Sequence, residues 1–417
     1  MTKRRVVVTG MGAVTPVGIG VENFWQGLLS GKSGVDTLHC TDPEKHLVKI
    51  AAEVKDFNAE DYLDAKEAKR MDRFIQFAMV AAIEAVKDSG LDLEKEEKDR
   101  IGVISASGAG GFITIERNHI AMLEKGFHKC SPFTVPMLIT NMAAGRISMK
   151  FGATGISKSV VSACATGAHC IGDAVRAIQY DEADIMIAGG EEAIVCDMGI
   201  GAFTSARTLS KHNDEPQKAS RPYDVARDGF IMGEGSGILV LEELEHAKKR
   251  GAKIYAEIIG YGQSCDAYDP VAPDPSGAGQ ELAVRKALKE ANIEPSEVQY
   301  INTHGTSTHL GDIAESQTIA RVFGDKEANK NLVVSSTKSM TGHMIGGAGS
   351  AESIVCIKAI NEGIVPPTIN LDNQDPEVAN LDYVPNVAKK HEVKIAMNNS
   401  FGFGGANAVL VFKKFED

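Results

Sequence analysis

Short apolar runs alternate with amphipathic stretches along the whole chain. Residues 4–9 (RRVVVT), 101–105 (IGVIS), 184–188 (DIMIA) and 237–241 (GILVL) are apolar, β-branched runs next to glycine-bearing turns, and read as buried strands. Val21–Leu29 reads as a short helix. Between Met71 and Val86, residues Phe74, Ile75, Phe77, Ala78, Ala81, Ala82, Ala85 and Val86 follow a helical period. Residues 40–65 have no period and read as surface. Residues 118–150 read as helix and loop broken by Pro132 and Pro136, residues 205–235 as polar loop, and Glu242–Arg250 as a charged helix. The sharpest change of period lies at 158–180. There Val160 and Val161 are expected to end a buried strand, while Ile171, Ala174, Val175 and Ile178 mark one face of a helix. Between them sits Cys164, among Ser162, Ala163, Ala165, Thr166 and Gly167. A thiol at a helix N-terminus is expected to have a lowered pKa, and small neighbours leave the sulfur open to a substrate. Cys164 is the candidate nucleophile.

The same succession restarts after Gly251. Ile254–Ile259, Gln280–Ala291 and Val298–Asn302 repeat strand, helix and strand, and Ala408–Phe412 parallels 237–241. The segment LVVSSTKSMTGHMIGGAGSAESIVCIKAI echoes SVVSACATGAHCIGDAVRAI. The pattern predicts two similar βα halves, residues 1–250 and 251–417, packed face to face with turns from both meeting at one cleft. On this mapping Lys338 occupies the position equivalent to Cys164. No stretch near 250 has a linker's composition.

Composition narrows the function. A 43% hydrophobic, 24% charged chain of 417 residues is that of a globular protein, expected to be cytoplasmic. The net charge of −12 argues against nucleic acid as a partner, and no apolar run reaches the roughly 20 residues of a membrane span. Seven cysteines without a CxxC pair fit neither a disulfide framework nor a zinc ribbon. Candidate chemistry lies in polar turns: His304 in NTHGTST, Lys338 and His343 in SSTKSMTGH, and Phe401 and Gly402 in NSFGFGGAN. Two histidine turns in one half and a cysteine turn in the other point to Cys–His catalysis. There is no HExxH, and the histidines have no third metal ligand at close spacing. The early VVVTGMGAVTPVG glycines are misplaced for a dinucleotide site.

SACATG, NTHGTST, SSTKSMTGH and NSFGFGGAN, in this order, resemble the β-ketoacyl-[acyl carrier protein] synthases, in particular their type II elongating branch, over essentially the whole chain. The resemblance implies an α/β, thiolase-like five-layered αβαβα fold, usually as a homodimer. It implies that Cys164 takes an acyl chain as a thioester, that His304 and His343 assist decarboxylation of a malonyl thioester, and that Lys338 sets the local charge. The N–H groups of Cys164 and Phe401 would hold the oxyanion, with the Phe401 ring as a gate. Thr306 and Thr308 would contact the pantetheine arm, and Ala109 and Gly402 the substrate. No cofactor is required beyond the phosphopantetheine carried in by acyl carrier protein, and Asn302 and Glu352 lie where a structural monovalent cation can sit. Acyl carrier proteins are acidic, and Lys66, Lys69, Arg70 and Arg207 are the expected basic docking residues. Two departures bear on substrate choice: HGTSTHLGD replaces the family's frequent HGTSTPAGD, and Ala109 stands where a larger branched residue is common.

Overall fold

Ten strands in chain order carry the architecture of the computed structural model, which describes residues 3–416. In the first half they are β1 (Val6–Thr15), β2 (Ile101–Ser107), β3 (Ser157–Lys158), β4 (Ile185–Glu192) and β5 (Gly235–Glu243). In the second half they are β6 (Ala256–Cys265), β7 (Tyr300–Asn302), β8 (Val333–Ser335), β9 (Ile395–Gly402) and β10 (Ala406–Lys413). The spatial order is β3-β2-β4-β5-β1 in one half and β8-β7-β9-β10-β6 in the other. Each strand thus has a counterpart five places later. The parallel and antiparallel pairings also match between halves. A short antiparallel contact, Val7 opposite Glu257 and Val8 opposite Ala256, joins the halves into one continuous sheet.

Six helices complete the layers: α1 (Arg73–Ser89), α2 (Met142–Phe151), α3 (Thr166–Gln179), α4 (Ala278–Ala291), α5 (His309–Phe323) and α6 (Ala348–Glu362). Apolar side chains of α1 and α2 share one core with the first-half strands. Those of α4 and α5 share another with the second-half strands. Helices α3 and α6 lie between, buried in a core drawn from both halves. The result is five layers, αβαβα. Local signals set the helix ends. Asp72 caps α1 by accepting the Phe74 N–H, and Gly90 closes it at φ 64°.

Two expectations from the sequence are corrected. Val160 and Val161 form no buried strand: only Ser157–Lys158 pairs with β2, and Val161 is 49% exposed. This segment is the edge of the sheet, where a single chain offers no neighbour on the outer side. Residues 40–65 are not all surface, because Val48, Ile50, Ala51 and Ala52 are buried in a cluster that also contains Cys164. Segments that break period while covering a site give no amphipathic signal.

Close approach of α1 to β1 requires glycine at position 12. A Cβ there would lie 1.9 Å from the Ala81 carbonyl oxygen. Gly12→Ala is expected to destabilise the fold by about 1–3 kcal/mol through overpacking, read as a lower urea midpoint at unchanged slope.

Candidate active site

Cys164 lies in a single tight turn, Ala163–Ala165, that runs directly into α3. Ala163 takes φ 49°, a conformation costly for a residue with a Cβ. The turn is held by Ser162 N–H donating to Thr166 Oγ1 and Ala165 N–H donating to the Ser162 carbonyl. Gly402 packs against it: a Cβ on Gly402 would sit 2.5 Å from Ser162 O and 3.2 Å from Cys164 N. His304 follows β7, where Glu315 of α5 accepts the His304 and Gly305 N–H groups at 2.8 and 2.7 Å. His343 is fixed by backbone, its N–H donating to Ile231 O and its carbonyl accepting from Gly233 N–H.

These elements bring the three predicted groups together. The Cys164 sulfur and one nitrogen each of His304 and His343 all lie within 4.8 Å of one another. The two imidazoles meet edge to face with centroids 5.3 Å apart. His304 Nδ1 and both ring nitrogens of His343 have no protein hydrogen-bond partner. They are free to bind a substrate. Lys338, 1% exposed, pairs with the buried Glu352 carboxylate. Burial, then the Lys338 charge, hold both imidazoles well below their ordinary pKa, so both are neutral at pH 7. The same ammonium disfavours a divalent metal on this Cys–His cluster.

The thiol corrects one expectation. Burial pushes Cys164 up to about 12, against the pull of Lys338 and of two backbone N–H groups. The helix-end effect is present but is outweighed by desolvation. A second correction concerns the amide partner. The N–H groups that favour charge on the sulfur are those of Phe403 and of Cys164 itself, and that of Phe401 is not among them. Phe401 remains in β9, paired with Asn407 of β10, and lays its ring 5.8 Å from the His304 ring. Phe403 is half-buried in the turn that follows, and its ring lies 6.3 Å from that of Phe203.

A cavity of about 470 Å³ opens onto this group. Ala109, Ala163, Phe203 and Ile345 supply apolar wall, in one cluster with Cys164. Thr306 and Thr308, their hydroxyls 3.0 Å apart, line it together with the exposed His309 and Leu310.

A buried cysteine, two neutral imidazoles and paired amides at an apolar cavity make an acyl-transfer site, and comparison with known proteins agrees. Residues 3–247 match the beta-ketoacyl synthase N-terminal domain and residues 255–372 the C-terminal domain. The chain belongs to the β-ketoacyl synthase family. It is 49% identical to 3-oxoacyl-[acyl-carrier-protein] synthase 2 of Vibrio harveyi, over 100% of both chains. It is 51% identical to the protein of that name from Staphylococcus aureus (strain COL), over 99% of both. Among solved structures, the ishigamide ketosynthase/chain length factor superposes with a TM-score of 0.92 at 35% identity over 100% of both chains. A type II polyketide ketosynthase, in complex with its acyl-carrier protein and bound to the hexaketide, gives 0.90 at 34% identity, again over 100% of both. The fold is the thiolase-like ketosynthase fold.

Other residues of this synthase are placed as follows. Arg207 is exposed and lines the cavity, whereas Lys66, Lys69 and Arg70 are exposed but do not line it. Arg70 stacks over the Phe133 ring at 4.7 Å, and Lys69 lies 3.8 Å from Glu60. Asn302 Oδ1, Glu352 Oε2 and Asn398 Oδ1 are buried acceptors without a protein donor, and Asn302 lies opposite Asn398 across β7 and β9. Hard oxygen acceptors of this kind fit a monovalent cation. Sequence reading missed Glu315 and Phe403. GFGG offered Phe403 as readily as NSFG offered Phe401, while Glu315 sits in an ordinary-looking helix.

Lys338→Met removes one partner of the buried pair and is expected to cost about 3–5 kcal/mol in chemical denaturation. Lys338→Met/Glu352→Leu should recover most of that loss. The single variant should also alkylate more slowly at Cys164, because the ammonium favours the thiolate.

Proposed function

We propose that this synthase elongates acyl chains by decarboxylative Claisen condensation, joining an acyl group on Cys164 to malonyl-[acyl carrier protein] to give 3-oxoacyl-[acyl carrier protein], the elongation step of fatty acid biosynthesis. The observation that carries this reading is the meeting of Cys164, His304 and His343 within 4.8 Å in a chain about half identical to 3-oxoacyl-[acyl-carrier-protein] synthases 2.

The first half-reaction is acyl transfer. The Cys164 sulfur attacks the thioester carbonyl of acyl-[acyl carrier protein], its proton passes to a neutral imidazole, and the carrier's thiol leaves with a proton. Lys338 and the Cys164 and Phe403 N–H groups favour negative charge on the sulfur. The same two amides would then hold the carbonyl oxygen of the tetrahedral intermediate. In the second half-reaction, His304 and His343 donate hydrogen bonds to the malonyl thioester carbonyl. The carboxylate leaves as CO2, its bonding electrons form the enolate, and this carbon attacks the acyl-Cys164 carbonyl. That attack forms the new C–C bond, and collapse of the adduct breaks the C–S bond to release Cys164 as thiolate, which takes a proton from solvent to return the thiol. Loss of CO2 generates the nucleophile, so no strong carboxylate base is needed. Neutral imidazoles suit this role, since each keeps one N–H to donate.

The partner is acyl carrier protein, whose phosphopantetheine arm would reach the sulfur past Thr306 and Thr308. Arg207 and the Lys66, Lys69 and Arg70 group would meet its acidic surface. A monovalent cation held by Asn302, Glu352 and Asn398 would satisfy their buried oxygens and take part in no step of the reaction. A homodimer fits the unpaired edge at β3, after which Val161 is exposed. Among the described residues no helix is long and apolar enough to cross a membrane. Cytoplasmic residence is part of this reading, supported by seven cysteines that are all free.

Intact mass after mixing with long-chain acyl-[acyl carrier protein] should show one acyl group on the wild type and none on Cys164→Ala. Adding the malonyl-loaded carrier should then release CO2 and extend the chain. An equal adduct on Cys164→Ala would overturn the assignment of the nucleophile. In a separate pH series, malonyl decarboxylation should stay level as pH falls from 8 to 6. Both histidines have pKa values depressed well below 6.5 and keep their neutral form over that range, so a loss of half the rate near 6.5 would contradict the roles given to them.

A further inference from the structure

Glu192 ends β4 fully buried, and the reaction above makes no use of it. Its Oε1 accepts the Ser107 hydroxyl at 2.5 Å, and its Oε2 accepts the N–H of Gly108 at 3.0 Å and of Gly346 at 3.2 Å. Ser107 Oγ in turn accepts the N–H groups of Ala109 and Gly110. One carboxyl thus ties together two turns from different halves of the chain. The first carries Ala109 into the cavity wall. The second follows His343 and carries Ile345 into the same wall.

The two turns are in close contact. A Cβ on Gly346 would lie 2.4 Å from Gly108 N, and a Cβ on Gly108 would lie 3.1 Å from both Ile345 Cγ2 and the Ala163 carbonyl oxygen. Ile345 takes φ 43° and Ala163 φ 49°, conformations that a β-branched residue and an alanine adopt only when their surroundings impose them. Both strained residues line the cavity beside Cys164. Their geometry needs an anchor: Glu192 bonds the N–H of Gly346, next to Ile345, and that of Gly108, the residue packed against the Ala163 carbonyl.

We propose that Glu192 is a positioning residue: a clasp that fixes the Gly108–Ala109 turn to the Gly346 turn after His343, and so shapes the wall along which the acyl chain reaches Cys164. The acyl-chain part of this assignment rests on the proposed function; the clasp itself does not. Its charge also reaches the nucleophile. Burial raises the Glu192 carboxyl to about 7 against the hydrogen bonds of Ser107, Gly346 and Gly108, and its ionised form disfavours the Cys164 thiolate. The other charged or titratable groups in play are Glu191 on the same strand, which feels the Glu192 charge, and Lys338, which acts on Cys164 with the opposite sign.

The test uses Glu192→Gln and Glu192→Asp in the full-length protein, with thermal melting to confirm folding. Glu192→Gln keeps the volume but loses the charge and an acceptor. Alkylation of Cys164 by iodoacetamide at pH 8, followed by mass spectrometry, is expected to be roughly three- to tenfold faster in Glu192→Gln. Its kcat for condensation of a long acyl chain should fall by roughly tenfold or more, with KM for malonyl-[acyl carrier protein] within about twofold. Glu192→Asp, charged but too short to span both turns, should share the loss in kcat without the faster alkylation. A folded Glu192→Gln with alkylation and kcat both within about twofold of wild type overturns the proposal. If Glu192→Gln does not fold, an unchanged kcat in Glu192→Asp does so instead. With no condensation by any form including wild type, a lowered melting temperature in both variants would support the clasp and count against the proposed function alone.

Discussion

A single ammonium group, buried between the two halves, sets the chemistry of everything around it. Lys338 has almost no contact with water and is balanced by Glu352 from a helix of the central layer. Burying such a pair is expensive, and an apolar pair of similar size would often be as stable. Its effect on its neighbours is specific. The charge lowers the thiol pKa and adds to burial in keeping His304 and His343 neutral. A site that must stabilise negative charge on sulfur, on a thioester oxygen and on an enolate needs fixed positive potential that carries no proton to the wrong place. A lysine paired inside the protein supplies that potential, while its imidazole neighbours remain hydrogen-bond donors.

The duplicated architecture explains how the cation comes to lie beside the thiol. Strands pair in the same order in both halves, and the turn after β3 is the counterpart of the turn after β8. The first turn carries Cys164 and the second carries Lys338. Because the two halves pack through α3 and α6, turns at equivalent positions face one cleft. The mapping of Lys338 onto Cys164 is corrected by the way each turn enters its helix. Ala163–Ala165 leads into α3 as Ile345–Gly347 leads into α6, with Ala163 at φ 49° and Ile345 at φ 43°, so Gly346 is the counterpart of Cys164 and Lys338 lies earlier in the same connection.

Much of this was legible because the site residues interrupt strong periodic signals. Cys164, His304 and His343 each lie at a junction of strand, small-residue turn and helix, and the repeat predicted that such junctions converge. The missed features share a physical cause. The direction of the helix-end effect on Cys164 follows from its position in the sequence, but the depth of burial depends on packing by Ile194, Phe230 and Ile345 from distant segments. Phe401 and Phe403 lie in the same glycine-rich motif, and only the backbone path of the turn decides which amide favours charge on the sulfur. Val160 and Val161 have strand composition, but a strand needs a neighbour, and on that side this chain has none.

The strained backbones at Ala163 and Ile345 bear on how the pocket is kept in shape. Apolar walls built from small residues such as Ala109 and Ala163 have little side-chain bulk to resist collapse, so their form must be imposed by backbone hydrogen bonds. Beside the backbone bonds that hold the Cys164 and His343 turns, two carboxylates gather amides around the site: Glu315 takes those of His304 and Gly305, and Glu192 those of Gly108 and Gly346. A carboxylate offers two oxygens and several lone pairs at one point, so it can gather N–H groups that no single carbonyl could satisfy. Each also lies close enough to feel or exert charge within the site, Glu315 through Lys338 and Glu192 through Cys164. Buried carboxylates used as anchors therefore connect the shape of the cavity to its protonation state. This chain carries such an anchor on each of its two halves.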